Sequence, residues 1–101
     1  MYSGYLIPWY FIRQERTIKG MAKPSPKYAG NPVLGGLGKA IREKRGVKGL
    51  SQEALAVDAE IDRSYMGGIE RGQHNLTLIN LHKIASALGT KPSELLEAAG
   101  Y

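Results

Sequence analysis

A chain of 101 residues with a formal net charge of +5 has room for one small core and no room for a separate catalytic or sensor domain. It contains no cysteine, which removes disulfides, thiolate nucleophiles and thiolate metal sites and suits a cytoplasmic setting. The charge is uneven: residues 1–36 hold five basic groups against Glu15, whereas from Leu37 onward nine basic groups face eight acidic ones, so any anion-binding surface of the second part must come from placement.

Residues 1–36 read as an arm or linker. Aromatic side chains stand at Tyr2, Tyr5, Trp9, Tyr10, Phe11 and Tyr28. A Lys-Pro-Ser-Pro-Lys run follows at Lys23–Lys27, then Gly30, Asn31, Pro32, Gly35 and Gly36, with no helical or strand period. The longest apolar run, Tyr5–Ile12, contains Pro8 and falls far short of a membrane span, and no basic stretch precedes it, so neither a membrane nor an export leader is expected. Met-Ala-Lys at Met21 looks like an ordinary start, which makes residues 1–20 an upstream extension on one reading. On the others, Lys19–Lys27 is an arm that follows phosphates, or the aromatic segment packs on a partner chain.

From Leu37 to Ala99 the pattern turns helical and predicts five short helices without strands. The first, Leu37 to about Arg45, sets Leu37 and Ile41 four apart and ends at Gly46 and Gly49. Ser51 N-caps the second, which carries Leu55 and Ala56 inward; after a link of only Ala59–Ile61, Asp62 N-caps the third, which carries Met66 and Ile69 inward. Thr77 caps the fourth, whose Leu78, Leu81, Ile84, Ala85 and Leu88 recur at threes and fours as a core face before Gly89 ends it. Pro92 opens the fifth, with Leu95 and Leu96, although Lys91 stands where a capping Ser or Thr is usual. So short a link makes the second and third helices cross steeply and leaves the outer face of the third free for a groove about 12 Å wide.

Other chemistry finds little support. His74 and His82 have no second ligand at metal-binding spacing; His74 is expected in a solvated loop and His82 on the outer side of the fourth helix. Ser51, Ser64, Ser86 and Ser93 lack a nucleophile elbow, and Gly35, Gly36 and Gly38 precede a helix without the Lys-Ser/Thr ending of a phosphate loop. No enzyme activity, metal or cofactor is expected.

The motifs Leu50–Gln52 (LSQ), Ile69–Gly72 (IERG) and Leu81–Gly89 (LHKIASALG), with the apolar and cap pattern of the third helix, together resemble the Cro/C1-type (lambda-repressor-like) helix-turn-helix domains of phage repressors and small bacterial regulators. The resemblance implies an all-α, five-helix DNA-binding domain over residues 37–101, with the arm over residues 1–36. It also implies a double-stranded DNA partner and a dimer on repeated half-sites. Carried over by position, base contacts fall on Arg63, Ser64, Tyr65, Gly67 and Gly68, and phosphate contacts on Ser51, Gln52, Arg71 and Asn75. Tyr65 has the alternative of packing against the second helix. Lys48, in the basic cluster Lys39, Arg42, Lys44 and Lys48, joins the phosphate set on its proximity to the helix-turn-helix. Arg45 is expected to pair with Glu70, and Leu95, Leu96, Ala99 and Tyr101 to form the dimer face.

Two departures stand out. Glu60 occupies the turn position where the family usually has Gly, so the turn is either reshaped or pays roughly 1 kcal/mol for a left-handed Glu. Gly67 and Gly68 offer no side chain to a base and each cost about 1 kcal/mol within a helix, which concentrates readout on Arg63 and Ser64. The competing reading keeps the fold as a protein-interaction module, gripping a partner such as a toxin, with weak or no specific DNA binding.

Overall fold

The computed structural model describes residues 23–101. The expectations for the aromatic cluster at residues 2–11 and for Lys19 lie outside the described residues. Among these residues there are five helices and no strand: α1, Pro32–Val47; α2, Gln52–Ala59; α3, Arg63–Glu70; α4, Leu78–Ala87; and α5, Pro92–Ala98. The first of them corrects the boundary drawn from composition, because it begins five residues before Leu37. Asn31 accepts the Val33 N–H at 2.9 Å and Pro32 fills the first helical position, a cap and start pair that outweighs the glycines after it.

One of those glycines has a clear packing reason. A Cβ on Gly38 would lie 2.5 Å from the Ile69 carbonyl oxygen and 2.6 Å from that of Glu70, so α1 crosses the end of α3 at backbone contact. Gly72, at φ +73°, is a glycine for its conformation as well as its surroundings, since a Cβ there would also meet the Gly35 backbone at 2.8 Å.

Ile41, Leu55, Met66, Ile84 and Leu88 are fully buried, so α1 to α4 each contribute to one core, closed from the side by Leu95 of α5. Each such side chain stabilises the fold by about 1.5–3 kcal/mol. Leu95, expected on a dimer face, is only 2% exposed and belongs to this core. Leu78 moves the other way. The core face of α4 begins at Leu81, while Leu78 and its neighbour Ile79 stand 74% and 66% exposed on the first turn.

The caps lie where the sequence sets them. Ser51 accepts from the Ala54 N–H, Asp62 from Ser64 and Tyr65, and Thr77 from Asn80. The turn between α2 and α3 is not reshaped: Glu60 adopts φ 59° and ψ 45°, and the Ile61 N–H donates to the Ala56 carbonyl at 2.8 Å. That bond, with Ile61 buried behind it, closes a Schellman turn and offsets the cost of a left-handed Glu. At α5 the Glu94 carboxylate reaches back to accept from the Lys91 N–H at 3.0 Å and from the Thr90 hydroxyl, replacing the missing cap. The Thr90 hydrogen bond, followed by the Lys91 N–H, holds this carboxyl below its ordinary range.

Candidate nucleic-acid interface

Three helices are tied together beneath α3. The Arg45 guanidinium of α1 donates to both Glu70 oxygens, Nε at 2.7 Å and Nη2 at 2.9 Å, and its Nη1 donates to the Leu50 carbonyl at 3.1 Å. Gln52 of α2 donates its amide to the same carboxylate at 3.1 Å. Glu70 is buried, so this two-pronged pair fixes the end of α3 against α1 and the start of α2 with its charge compensated. The Glu70 hydrogen bonds raise the Arg45 pKa above its ordinary value. The expected Arg45–Glu70 pair is therefore present, and Gln52 is an added member.

The base-contact residues divide sharply. Arg63 is exposed and, among the described residues, makes no ion pair. Ser64 beside it is half-buried, with its N–H held by Asp62 at 3.0 Å. Tyr65 packs within the protomer, against the core. Its ring lies 4.6 Å from that of His74, tilted by 56°, and its hydroxyl accepts from Asn80 at 3.4 Å. Gly67 and Gly68 are buried and are corrected as base contacts. A Cβ on Gly67 would meet Arg71 Nη1 at 3.1 Å and Gln52 Oε1 at 3.3 Å, whereas one on Gly68 would drive into the His74 ring, 2.2 Å from Nε2. The two glycines exist because other side chains cross over them.

His74 corrects another expectation. It is buried rather than solvated, wedged between Gly68 and Tyr65, and burial, helped by the charge of Arg71, pushes its imidazole below the ordinary value. The loop's Asn-Leu-Thr continuation conceals this in the sequence; the Gly68 that accommodates the ring is the only local sign of it.

Of the phosphate set, Ser51, Arg71 and Asn75 are exposed and Gln52 is half-buried, with its amide oxygen over Gly67 beside Arg71. Arg71 is steadied by a hydrogen bond from Nη2 to Gln73 Oε1 at 3.4 Å. Lys48 is not brought to this group: its ammonium lies against Gly89, where a Cβ would come within 3.3 Å, at the carbonyl-rich end of α4. Of the dimer-face residues other than Leu95, Leu96 and Ala99 are half-buried and Tyr101 is 62% exposed. Among the described residues no three His, Asp or Glu side chains gather as a metal site, and no helix is long and apolar enough to cross a membrane.

A family model described as helix-turn-helix matches residues 41–95, more than half of the chain and most of the bundle above. The chain belongs to the helix-turn-helix family. Similar proteins include the control protein C.BamHI of Bacillus amyloliquefaciens, 43% identical over 59% of this chain and 75% of that protein. Another is the control protein C.SmaI of Serratia marcescens, 39% identical over 63% of this chain and 76% of that protein. Among solved structures, the restriction-modification controller C.AhdI from Aeromonas hydrophila is 53% identical, with a TM-score of 0.60, over 61% of this chain and 94% of that one. These helix-turn-helix relatives and the bundle agree on an all-α DNA-binding regulator of transcription.

Proposed function

We propose that this helix-turn-helix protein is a small controller of transcription, of the kind found with restriction-modification systems. It would act in the cytoplasm without catalysis, as a homodimer that sets the start of α3 in the major groove. The observation that carries the reading is the first turn of α3: Arg63 is exposed and without an ion pair among the described residues, on a helix whose other end is locked by Arg45, Glu70 and Gln52. A free guanidinium on a rigid mount can fork onto guanine O6 and N7, worth about 1–3 kcal/mol of discrimination. Ser51, Gln52, Arg71 and Asn75, at the start of α2 and beyond the far end of α3, offer groups suited to phosphate, which set orientation rather than sequence. The 53% identity to C.AhdI across 94% of that controller favours this kind of regulator over other small members of the family.

One such unit reads too few base pairs for strong specificity, so two copies on half-sites about one helical turn apart, or a multiple of that, are required. Leu95 being in the core, the exposed Leu78 and Ile79 join Leu96, Ala99 and Tyr101 as the apolar material for pairing. Selection of binders from a random duplex library tests all of this at once. The intact chain should recover a repeated half-site, and Arg63→Ala should lose the preference at one base position in each half-site, by roughly 5- to 150-fold, while retaining weak binding to all duplexes. Recovery of no common sequence by the intact chain would overturn the assignment.

A further inference from the structure

The described part of the arm is not detached from the domain. The Ser25 N–H donates to the Gln73 carbonyl at 2.7 Å, and the Gly30 N–H donates to the Gly72 carbonyl at 3.2 Å. Between these two anchors the chain turns tightly: the Tyr28 N–H donates to Ser25 Oγ at 3.3 Å and the Ala29 N–H to the Ser25 carbonyl at 3.1 Å. A turn of lysines and prolines is thus fastened by its backbone to the loop that leaves α3, directly between Arg71 and Asn75.

Lys23 and Lys27 on this turn are exposed, and the Lys27 ammonium stands over the Tyr28 ring, 5.5 Å from its centroid. From Lys23 to Arg42 the chain has four basic residues and no acidic one. Backbone anchoring leaves both ammonium groups without an ion pair among the described residues, and Pro24 and Pro26 flank the anchoring Ser25 with residues of restricted φ, so little ordering is left to do when an anion arrives. Tyr28 is the one large apolar side chain of the turn and only 39% exposed, which is little for an apolar protein contact.

We infer that the docked turn Lys23–Gly30 is a second phosphate clamp, placing Lys23 and Lys27 on the backbone of the same duplex, beyond the phosphates met by Arg71 and Asn75. This rests on the DNA-binding reading above. The clamp carries no base preference and lengthens the contacted backbone at the edge of each half-site.

The test is a salt titration of duplex binding with the full-length chain, using its selected duplex and an unrelated one. Each neutralised phosphate contributes about 0.9 to the slope of log affinity against log salt, so Lys23→Ala/Lys27→Ala should make the slope shallower by about 1.8 per protomer and weaken both duplexes equally. Ser25→Pro keeps both lysines but deletes the N–H that anchors the turn, and it should lose the same slope. Trimming the duplex at its outer edge should remove the difference between the wild type and both variants.

An unchanged slope in the double variant, beside a steep wild type, would overturn the clamp and leave the DNA reading intact. A full slope in Ser25→Pro would overturn docking as its basis. A wild type showing no salt-dependent binding to any duplex would overturn the function and the clamp together.

Discussion

The two halves of α3 are built on opposite principles. Its first turn is held by a cap, with Asp62 Oδ2 accepting from the Ser64 and Tyr65 N–H groups at 3.0 and 3.2 Å, and by Tyr65 packing against His74, and it presents Arg63 to solvent. From Met66 to Glu70 every residue is buried: Gly67 lies under Gln52 and Arg71, Gly68 under His74, and the last carbonyls against Gly38. Two glycines in mid-helix cost about 1 kcal/mol each in propensity, and here that cost is met by close approach of neighbouring groups. The helix is therefore a short exposed tip on an anchored shaft. On the proposed function, base readout rests on one or two side chains of that tip per protomer.

Breaking the shaft should produce the largest effect. Glu70→Ala leaves the Arg45 guanidinium without its partner and frees Gln52. With Arg45 still 17% exposed, the loss should sit near the lower end of that for buried pairs, about 3 kcal/mol. Denaturant unfolding reads this directly; a loss below about 1 kcal/mol would mean that the network does not anchor α3. Below its melting temperature the folded variant should keep the base preference proposed for Arg63, because the cap of the first turn is unaltered.

A smaller effect, and one that changes sign along a single helix, tests the shaft's other support. Gly38→Ala forces a methyl group against two backbone carbonyls and should destabilise by roughly 2 kcal/mol. Gly35→Ala meets nothing within 4 Å and should stabilise by up to about 1 kcal/mol through helix propensity. Equal and small effects at both positions would show that α1 and α3 do not cross in contact.

The caps, core and charge pair were legible because each rests on local spacing or on a motif. Ser51, Asp62 and Thr77 precede apolar periods, and Leu55, Met66 and Ile84 follow them. What escaped depends on packing between distant segments. Gly35 and Gly36 look like linker residues, and Gly38 shows its reason only when the end of α3 is laid against it; α1 starts earlier than its composition suggests because Asn31 caps it ahead of Pro32. Leu95 and Leu78 carry the same apolar signal, yet one is buried by α5 packing on the core and the other stands exposed on the first turn of α4. Gly67 and Gly68 occupy family positions for base contact, but periodicity alone does not report the side chains that cross over them.

The smallest expected effect separates tip from shaft by pH. His74 sits on the shaft, against Gly68 and Tyr65, and its pKa is lowered from 6.5, first by burial and second by the charge of Arg71. The unfolded chain therefore binds this proton more readily than the folded one. The stability contributed by neutral His74 is fully present above pH 6.5 and is lost as pH falls from there through the folded-state value. The loss should be read as a falling melting temperature between about pH 7 and pH 5.5, above the range where most carboxylates titrate. His74→Gln cannot take up the proton, so its melting curve should be flatter over that window even if its stability at neutral pH is lower. Parallel curves for the two proteins would mean that the imbalance in proton uptake lies elsewhere. Discrimination between duplexes, referred to the folded fraction, should change little across the window, because His74 lies away from the exposed Arg63 at the start of α3.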